Sequence, residues 1–161
     1  MITDAYLKGI RGFDADKAYE AMKHSAMQED FGVGELKRYG YIPYDRYNKS
    51  VSTALEYCFD DWCIAEMAKS LGHDEDYGYF MQRAQSYVTY FDREYGLMNG
   101  VSSAGKFRRP FDPFYSSYGA CDWIEGNSWQ YSFFVPHDVQ GLIGLHGGDA
   151  EFVAALDTLF T

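Results

Sequence analysis

The segment from residue 50 to residue 72 has the most regular helical pattern in this sequence, and it restricts the chain to folds built around a long helix. Its apolar side chains recur three to four residues apart, at Val51, Leu55, Cys58, Trp62 and Ala65. This spacing places them on one face of an α-helix. Ser50 or Ser52 is a predicted N-cap, and Gly72 is the predicted C-terminal stop.

Helical signals also occur in most of the remaining sequence. We expect helices over residues 3–12, 14–28, 74–91, 127–146 and 150–160. Asp14, Asp138 and Asp149 are predicted N-caps because their carboxylates can accept hydrogen bonds from the free amides at a helix start. Pro136 interrupts the fourth of these helices, since proline lacks an amide hydrogen.

Two segments lack a helical period. Residues 31–49 are rich in glycine and tyrosine, and we interpret them as a loop. Residues 92–113 carry Tyr-Gly, Asn-Gly and Ala-Gly turn signals with short apolar pieces between them. This pattern predicts a small β-hairpin around residues 96–112, within a long inter-helix loop of the kind that is usually functional.

Together these elements predict an all-α fold. Consecutive helices are joined by alternating short and long connections. Such an arrangement suits stacked helical hairpins in a bundle, a solenoid or a helical toroid. No repeat recurs at a fixed period, which disfavours arrays of the tetratricopeptide type.

The charge and composition argue against several classes of function. With a net charge of −10, the chain lacks the clustered Lys and Arg that nucleic-acid binding requires. No apolar run is long enough to cross a bilayer, and no signal peptide opens the sequence. Aromatic residues make up 19% of the chain, a content that fits either stacking on a ligand ring or a half-buried helical surface.

The three cysteines predict neither a disulfide nor a zinc site. Cys58 and Cys63 lie five residues apart on one predicted helix, so their side chains face different directions. No cysteine pair has zinc spacing, and no HExxH motif is present. We therefore interpret Cys58, Cys63 and Cys121 as small buried side chains.

Glu125 is the first candidate for a catalytic residue. It precedes a Gly-Asn pair at a predicted helix start, and Trp123, Ile124 and Trp129 supply apolar side chains around it. Apolar surroundings disfavour a charged carboxylate, which suits a general acid near neutral pH. Asn127 is a predicted cap of the next helix, whose free amides can orient a bound oxygen. The alternative is an ordinary carboxylate that interacts with the helix dipole.

A second candidate is the acidic group formed by Glu56, Asp60 and Asp61. Glu56 and Asp60 are four residues apart and share a helix face, where two like charges repel. This proximity indicates a metal ion, a hydroxyl-rich ligand or a partnering arginine, and a solvated acidic face is the alternative. Trp129 is a further candidate for substrate binding, whereas Asp138 is interpreted as a structural cap.

Four motifs carry a family resemblance: SVSTALEYCFDDWCIAEMAKSLG, YFDREYGLMNG, RPFDP and EGNSWQYSFFVPHDVQGLIGLHGG. They resemble glycoside hydrolase family 92, the calcium-dependent, inverting exo-α-mannosidases common in glycan-degrading gut bacteria. The similarity extends from about Asp4 to Phe160. The last motif is long and specific, and it contains Glu125.

The resemblance implies that Glu125, the glutamate of the EGN motif, is the general acid of an enzyme that removes terminal α-linked mannose, with an α-1,2 linkage expected, from glycans. The family's catalytic base lies in a Gly-Asn-Asp motif, which residues 1–161 do not contain. Inversion needs two carboxyl groups about 6.5–9.5 Å apart, so this chain would supply one of the two. Calcium is implied for the full-length enzyme, with ligands largely outside this chain, and we assign no metal ligand here.

The resemblance also implies a larger protein. Family members have an N-terminal β-sandwich and a C-terminal (α/α)6 toroid, and residues 1–161 match only part of that toroid. The isolated chain is therefore expected to be inactive, to bind no calcium tightly and to self-associate through its terminal helices. The implied location is periplasmic, extracellular or at the cell surface. Two positions depart from the family pattern, since Ile124 stands where threonine is usual and no arginine closely follows Met98.

The alternative function is a non-catalytic helical domain that binds glycans or a protein partner. In that case Glu125 is only a carboxylate at a helix start. A downstream Gly-Asn-Asp motif and an upstream β-rich domain in the same reading frame would distinguish the enzyme from this alternative.

Overall fold

The long helix predicted at residues 50–72 is present and lies at the centre of the fold. The computed structural model describes residues 1–160. Within that range the elements are α1 (Ile2–Leu7), α2 (Ala15–Met27), α3 (Val33–Tyr39), α4 (Ser50–Leu71), α5 (Asp74–Ala84), a 3₁₀ helix (Gln85–Tyr90), β1 (Phe91–Asp92), β2 (Leu97–Met98), α6 (Ser128–Tyr131), α7 (Val139–His146) and α8 (Asp149–Thr158). The predicted all-α fold is confirmed.

Helix α4 is buried on several faces rather than along one stripe. Val51, Leu55, Cys58 and Ala65 of the predicted stripe are buried, and Trp62 is half-buried. Other α4 side chains outside that stripe are also buried: Ser52, Ala54, Asp61, Ile64, Met67 and Ala68. Helices α1, α2 and α5 all contact α4, which explains why it is covered on more than one side.

Two apolar clusters divide the core along α4. The first cluster surrounds the N-terminal half of α4 and includes Leu55, Tyr90, Trp123 and Leu142. The second lies around its C-terminal half and includes Tyr6, Tyr19, Ile64, Met67 and Phe80. The segment that contains Glu125 therefore belongs to the part of the core around the N-terminal half of α4.

The prediction of a loop over residues 31–49 is wrong in part, because α3 occupies Val33–Tyr39. Gly32 and Gly40 flank it with left-handed backbone angles, φ = 83° and 77°. Val33 and Leu36 are its buried side chains. A helix with two buried positions is too short to show a sustained period in the sequence, which is why the pattern did not indicate it.

The predicted N-caps of α4 are also wrong. Lys49 occupies the N-cap position, and no side chain caps the helix. Instead, the backbone carbonyl of Asp122 accepts hydrogen bonds from the amides of Val51 and Ser52, both at 3.1 Å. A carbonyl from a distant segment thus satisfies amides that the sequence pattern assigned to a local serine.

The other predicted caps have mixed outcomes. Asp14 and Asp138 accept from the amides of Lys17 and Gly141, as expected, and Asn127 caps α6. Asp149 is the first residue of α8 rather than its N-cap, because Gly148 takes the cap position.

Three predicted helices are shorter than expected, and one of them is the piece before Pro136, where α6 covers only Ser128–Tyr131. Helix α1 ends at Leu7 rather than near Gly12, just before Gly9 with φ = 87°. Helix α5 ends at Ala84, where the 3₁₀ helix replaces it. The end of α4 at Gly72 is confirmed, and this glycine has φ = 83°.

The long loop after the 3₁₀ helix contains two narrow hairpins. In the first, β1 pairs antiparallel with β2, with Phe91 opposite Met98. In the second, Val101 bridges Phe107. The second hairpin lies within the predicted range of 96–112, whereas the first begins before it, since Phe91 belongs to a strand rather than to the end of a helix.

All three cysteines are free, as predicted. Cys58 and Cys121 are buried, but Cys63 is half-buried, so its interpretation as a buried side chain is corrected. Burial raises the pKa of the Cys58 thiol to about 12.

No helix in residues 1–160 has the length and apolar content that crossing a membrane requires.

A buried ion pair joins three helices in the second half of the core. Asp61 and Arg83 are 1% and 8% exposed, and the Arg83 Nε donates to Asp61 Oδ2 at 2.6 Å. Arg83 Nη2 binds the other carboxylate oxygen, and Nη1 donates to the Ala26 carbonyl at 2.9 Å. Burial raises the pKa of Asp61 to about 6, while the Arg83 guanidinium acts in the opposite direction. The pair connects α2, α4 and α5.

We expect Asp61→Asn to lower the free energy of unfolding of the intact protein by about 3–5 kcal/mol, because it leaves the buried Arg83 charge unpaired. The exposed neighbour Asp60 provides the matched control, and Asp60→Asn should change stability by about 0.5 kcal/mol or less. Urea unfolding of both variants measures the difference. Equal effects would show that the Asp61–Arg83 pair does not stabilise the fold.

Candidate active site

The structure places Glu125 on a short loop with a left-handed backbone, φ = 48°. Its side chain is exposed, so the predicted apolar surroundings are not formed by the neighbours named from the sequence. Trp123 is buried in the first core cluster, Ile124 is 43% exposed and Trp129 is half-buried. The reason is that Trp123 packs into the core, stacked on Tyr131 with ring centroids 5.9 Å apart.

Asp122 anchors this loop to the rest of the protein. It is 6% exposed, and its carboxylate accepts hydrogen bonds from Arg108 Nε at 2.6 Å and Arg108 Nη2 at 2.9 Å. The Arg108 guanidinium also stacks over the Tyr44 ring, 3.8 Å from its centroid. Since a bidentate arginine–carboxylate pair fixes orientation as well as distance, Asp122 is held in one position three residues before Glu125.

The backbone around Asp122 pairs with the start of α4. Beyond the Asp122 carbonyl that binds the first α4 amides, the Cys121 carbonyl accepts from the Lys49 amide at 2.8 Å. The Cys121 amide in turn donates to Asn48 Oδ1 at 3.0 Å. Ser52 Oγ then accepts from the Ile124 amide at 3.0 Å. These bonds tie residues 121–124 to the N-terminus of the central helix.

The glycine and the asparagine of the Glu-Gly-Asn motif each have a separate structural explanation. A Cβ on Gly126 would lie 3.0 Å from both Gln130 Oε1 and a Tyr131 ring carbon, so only glycine fits there without displacement of a neighbour. Asn127 forms a capping box with Gln130, in which each side chain binds the backbone amide of the other. The Asn127 side chain therefore takes an α6 amide that the sequence left free for a bound oxygen.

Helix α6 is fixed to the first hairpin. Ser128 Oγ donates to the Met98 carbonyl at 2.5 Å, and the Met98 amide donates to Ser132 Oγ at 2.7 Å. Both serines are fully buried. The hairpin, α6 and the loop that carries Glu125 thus form one connected unit, which is the candidate active site.

Of the acidic group predicted on α4, Glu56 is the member whose charge, like that of Glu125, acts on the Tyr131 hydroxyl. Burial raises the pKa of the Tyr131 hydroxyl, and the charges of Glu56 and Glu125 both add to that rise. Burial also raises the pKa of Glu56, with a contribution from Asp60. Asp60 lines a separate cleft beside α1, and Asp61 is paired with Arg83, so the three acids do not form one site.

Trp129 lies on α6, immediately beside the loop. Its indole Nε1 is buried and has no hydrogen-bond partner among residues 1–160. Its ring lies 6.1 Å from that of Phe114, which is 70% exposed. A buried donor without a partner is costly unless a group from outside the described chain binds it.

Asp138 has the structural role that the sequence predicted. Its Oδ1 accepts from the Gly141 amide at 2.9 Å, and its Oδ2 accepts from the Tyr87 hydroxyl at 2.7 Å. These bonds hold the pKa of Asp138 below its usual value, although burial acts in the opposite direction.

Four residues of the site were missed by sequence reasoning: Ser52, Arg108, Asp122 and Tyr131. Arg108 and Arg109 are adjacent in the long loop, and each forms an ion pair, with Asp122 and Asp92 respectively. Contacts such as the hydrogen bond from the Ile124 amide to Ser52 Oγ could not be predicted, since they join residues 72 positions apart.

No group of three or more His, Cys, Asp or Glu side chains that could hold a metal ion occurs within residues 1–160. The Glu56, Asp60 and Asp61 cluster is therefore not assembled as a metal centre in the part of the chain that the structure describes.

A glutamate presented on an anchored loop is compatible with a glycoside hydrolase, because these enzymes act through carboxyl groups. The family model of the glycosyl hydrolase family 92 catalytic domain matches residues 1–161. The chain therefore belongs to glycosyl hydrolase family 92.

Solved structures from the same family superpose on the whole chain. The family GH92 alpha-mannosidase BT3965 from Bacteroides thetaiotaomicron is 45% identical, with a TM-score of 0.91 over 99% of this chain and 21% of its own. The same enzyme in complex with mannoimidazole gives a TM-score of 0.92 at 44% identity, over 99% of this chain and 22% of its own. The inverting mannosidase BT2199 from Bacteroides thetaiotaomicron VPI-5482 is 34% identical, with a TM-score of 0.91 over 97% of this chain and 22% of its own.

A curated relative extends the comparison to a fungus. An uncharacterized secreted glycosidase from Arthroderma benhamiae is 31% identical over 197 residues, which cover 99% of this chain and 25% of the relative. This chain thus spans between about a fifth and a quarter of the length of the proteins it matches.

We expect Gly100→Ala to disturb the anchor of the loop that carries Glu125, because a Cβ there would lie 2.4 Å from Asp122 Oδ2. Overpacking of this kind costs about 1–3 kcal/mol of stability. Gly78→Ala is the control, since Gly78 lies on α5 with no atom within 4 Å of a new Cβ. It should be neutral or stabilising by up to about 1 kcal/mol. Thermal unfolding of the two variants tests this, and equal stability would contradict the packing described.

Proposed function

We propose that this chain is part of an inverting exo-α-mannosidase that removes terminal α-linked mannose, with an α-1,2 linkage, from glycans. In this proposal Glu125 is the general acid. The observation that supports it most is the placement of Glu125, exposed and in a left-handed conformation on a loop anchored by the buried Asp122. Non-glycine residues held in such strained conformations cluster at functional sites. The mannosidase activity named for two relatives supports the substrate class.

The proposed chemistry assigns one proton transfer to this chain. The protonated Glu125 carboxyl donates to the glycosidic oxygen as the bond to the leaving sugar breaks, which avoids release of an unstable alkoxide. A second carboxylate outside this chain takes a proton from the water that attacks the opposite face of the ring. Because Glu125 is exposed here, the surfaces that exclude water from it during reaction would also come from outside residues 1–161.

We propose that the helices described here form part of an (α/α)6 toroid and that the full-length protein also carries an N-terminal β-sandwich domain. Superposition on nearly the whole of this chain but only about a fifth of the relatives supports the first point. Helix α8 has no buried residue, as expected for an element that packs against further helices. The β-sandwich rests on the family resemblance alone.

Calcium is proposed as the cofactor of the full-length enzyme, on the strength of family membership. The residues described here do not fit a complete calcium site, because Ca²⁺ takes six to eight oxygen ligands and no suitable group of three acidic side chains occurs in residues 1–160. We therefore assign no ligand and derive no step through the ion. Its ligands would come largely from other parts of the protein.

Glu56 and Trp129 are the proposed substrate contacts in this chain. The Glu56 charge acts on the Tyr131 hydroxyl, as that of Glu125 does, and this supports a position for Glu56 near the proposed general acid. The half-buried ring of Trp129, on α6 beside the loop that carries Glu125, offers an apolar face for a sugar ring. Asp60 and Asp61 were equal candidates from the sequence, but their positions near α1 and Arg83 give them no support as sugar contacts.

We further propose that the enzyme acts outside the cytoplasm, in the periplasm, at the cell surface or in the medium. The description of the fungal relative as secreted supports an exported protein. The expected partners are mannose-containing glycans, which cells carry on their exterior surfaces.

We expect Glu125→Gln in the full-length enzyme to lower kcat on a mannose disaccharide by about 10²–10⁴-fold, because general acid catalysis contributes that much. An aryl mannoside with a good leaving group should lose far less, since its leaving oxygen hardly needs the proton. Glu20→Gln, at an exposed position on α2, is the matched control and should leave both rates unchanged. Equal losses on the two substrates would mean that Glu125 is structural.

We also propose that the isolated chain self-associates through its terminal helices. Large apolar side chains are exposed at both ends: Ile2, Leu7, Ile10, Val153, Leu159 and Phe160. Burying this surface recovers about 25 cal/mol per Å². Sedimentation of residues 1–161 should therefore show dimers or larger species at high concentration, and Leu7→Glu should weaken them. A stable monomer under all conditions would contradict this proposal.

A further inference from the structure

The backbone of Glu125 adopts a conformation that residues with a Cβ atom rarely adopt. Its φ of 48° lies in the left-handed region, which glycine enters freely and glutamate does not. Glutamate in an exposed loop would relax to a right-handed or extended conformation unless neighbouring groups prevented the rotation. Groups that fix the peptide planes next to Glu125 therefore determine where its carboxyl group stands.

The peptide group between Ile124 and Glu125 is fixed by the Tyr131 hydroxyl. This hydroxyl donates to the Ile124 carbonyl at 2.8 Å. The Ile124 carbonyl and the Glu125 nitrogen belong to one planar unit, and φ of Glu125 is the rotation against that unit. A hydrogen bond that fixes the Ile124 carbonyl thus fixes the peptide plane against which the Glu125 backbone rotates, and this rotation determines where the Glu125 side chain lies.

The preceding peptide group is fixed by Ser52. Its Oγ accepts from the Ile124 amide at 3.0 Å, and Ser52 is fully buried on the central helix. Ile124 is therefore held on both its amide and its carbonyl. Its own side chain is 43% exposed and gives little anchorage, so these two bonds carry the positioning.

Tyr131 is itself held rigidly. Its ring stacks on the buried Trp123 with an interplanar angle of 27°, and its amide donates to the Asn127 carbonyl at 3.2 Å. The absence of a side chain at Gly126 lets the ring approach the loop, since a Cβ there would lie 3.0 Å from Tyr131. A rigid donor at a fixed distance is what a positioning role requires.

We propose that Tyr131, assisted by Ser52, is a positioning residue for the general acid. It does not touch the substrate in this role. It holds the Ile124–Glu125 peptide plane so that the Glu125 carboxyl stands ready to protonate the leaving oxygen. This inference rests on the proposed function, because it assigns Tyr131 a role through Glu125.

The test compares Tyr131→Phe with Tyr41→Phe in the full-length enzyme. Tyr41 is a matched control because its hydroxyl also donates to a backbone carbonyl at 2.8 Å, that of Ser102, in the second hairpin. Each variant loses one hydroxyl and one hydrogen bond of the same length. The measured quantities are kcat and KM on a mannose disaccharide and on a 2,4-dinitrophenyl mannoside.

For Tyr131→Phe we expect kcat on the disaccharide to fall about 10–100-fold, because small misplacements of a catalytic group have effects of this order. KM should change less than about twofold, and kcat on the aryl substrate less than about threefold, since general acid assistance matters little there. Ser52→Ala should show the same selectivity. Tyr41→Phe should leave both substrates unaffected. Equal losses of Tyr131→Phe on the two substrates, or a change in KM alone, would overturn the positioning role.

A double variant separates this inference from the proposed function. In a Glu125→Gln background, Tyr131→Phe should cause no further loss on the disaccharide, because the group that it positions can no longer donate a proton. A further loss of the same size as in the wild type would overturn the inference while leaving Glu125 as the acid. If Glu125→Gln alone shows no preference between the substrates, the proposed function fails first.

Discussion

The ion pair between the buried Asp122 carboxylate and Arg108 is the interaction on which the rest of the site depends. The Asp122 carboxylate accepts two hydrogen bonds from Arg108, and the Asp122 carbonyl accepts hydrogen bonds from two amides in the first turn of α4. One residue therefore joins the long loop, the central helix and the segment that leads to Glu125. Because an unpaired buried carboxylate is strongly unfavourable, Arg108 and the loop that carries it are required wherever Asp122 is buried.

The sequence predicted the elements better than it predicted their connections. Helices with several apolar turns or a distinct cap, such as α2, α4 and α7, were found because their signals are local. Helix α3 was missed because it has only two buried positions. The contacts of Asp122 were missed because its side-chain partners, Arg108 and Ser50, lie 14 and 72 positions away in the sequence, and no local pattern encodes such a distance.

The surroundings of Glu125 show a similar limit. Its aromatic neighbours in the sequence predicted a dry pocket, but Trp123 is buried in the core and Ile124 faces solvent. Neighbours along a loop do not share a face as they do along a helix, so composition alone cannot place them. The motif does specify the local backbone and packing, since Gly126 leaves room for the Tyr131 ring and Asn127 is the N-cap of α6. The proposed acid is thus held by a rigid frame, while its enclosure is left to other parts of the protein.

The most direct measurement is a crystal structure of the full-length protein with mannoimidazole, the compound found in complex with a relative. The imidazole ring of this compound carries a basic nitrogen that can accept a proton, as the leaving oxygen does in the proposed reaction. The account predicts a Glu125 carboxyl oxygen within about 3 Å of that nitrogen, a φ of Glu125 that remains positive, and an intact bond from the Tyr131 hydroxyl to the Ile124 carbonyl. A Glu125 side chain turned away from the inhibitor, with another carboxyl group at the nitrogen, would contradict it.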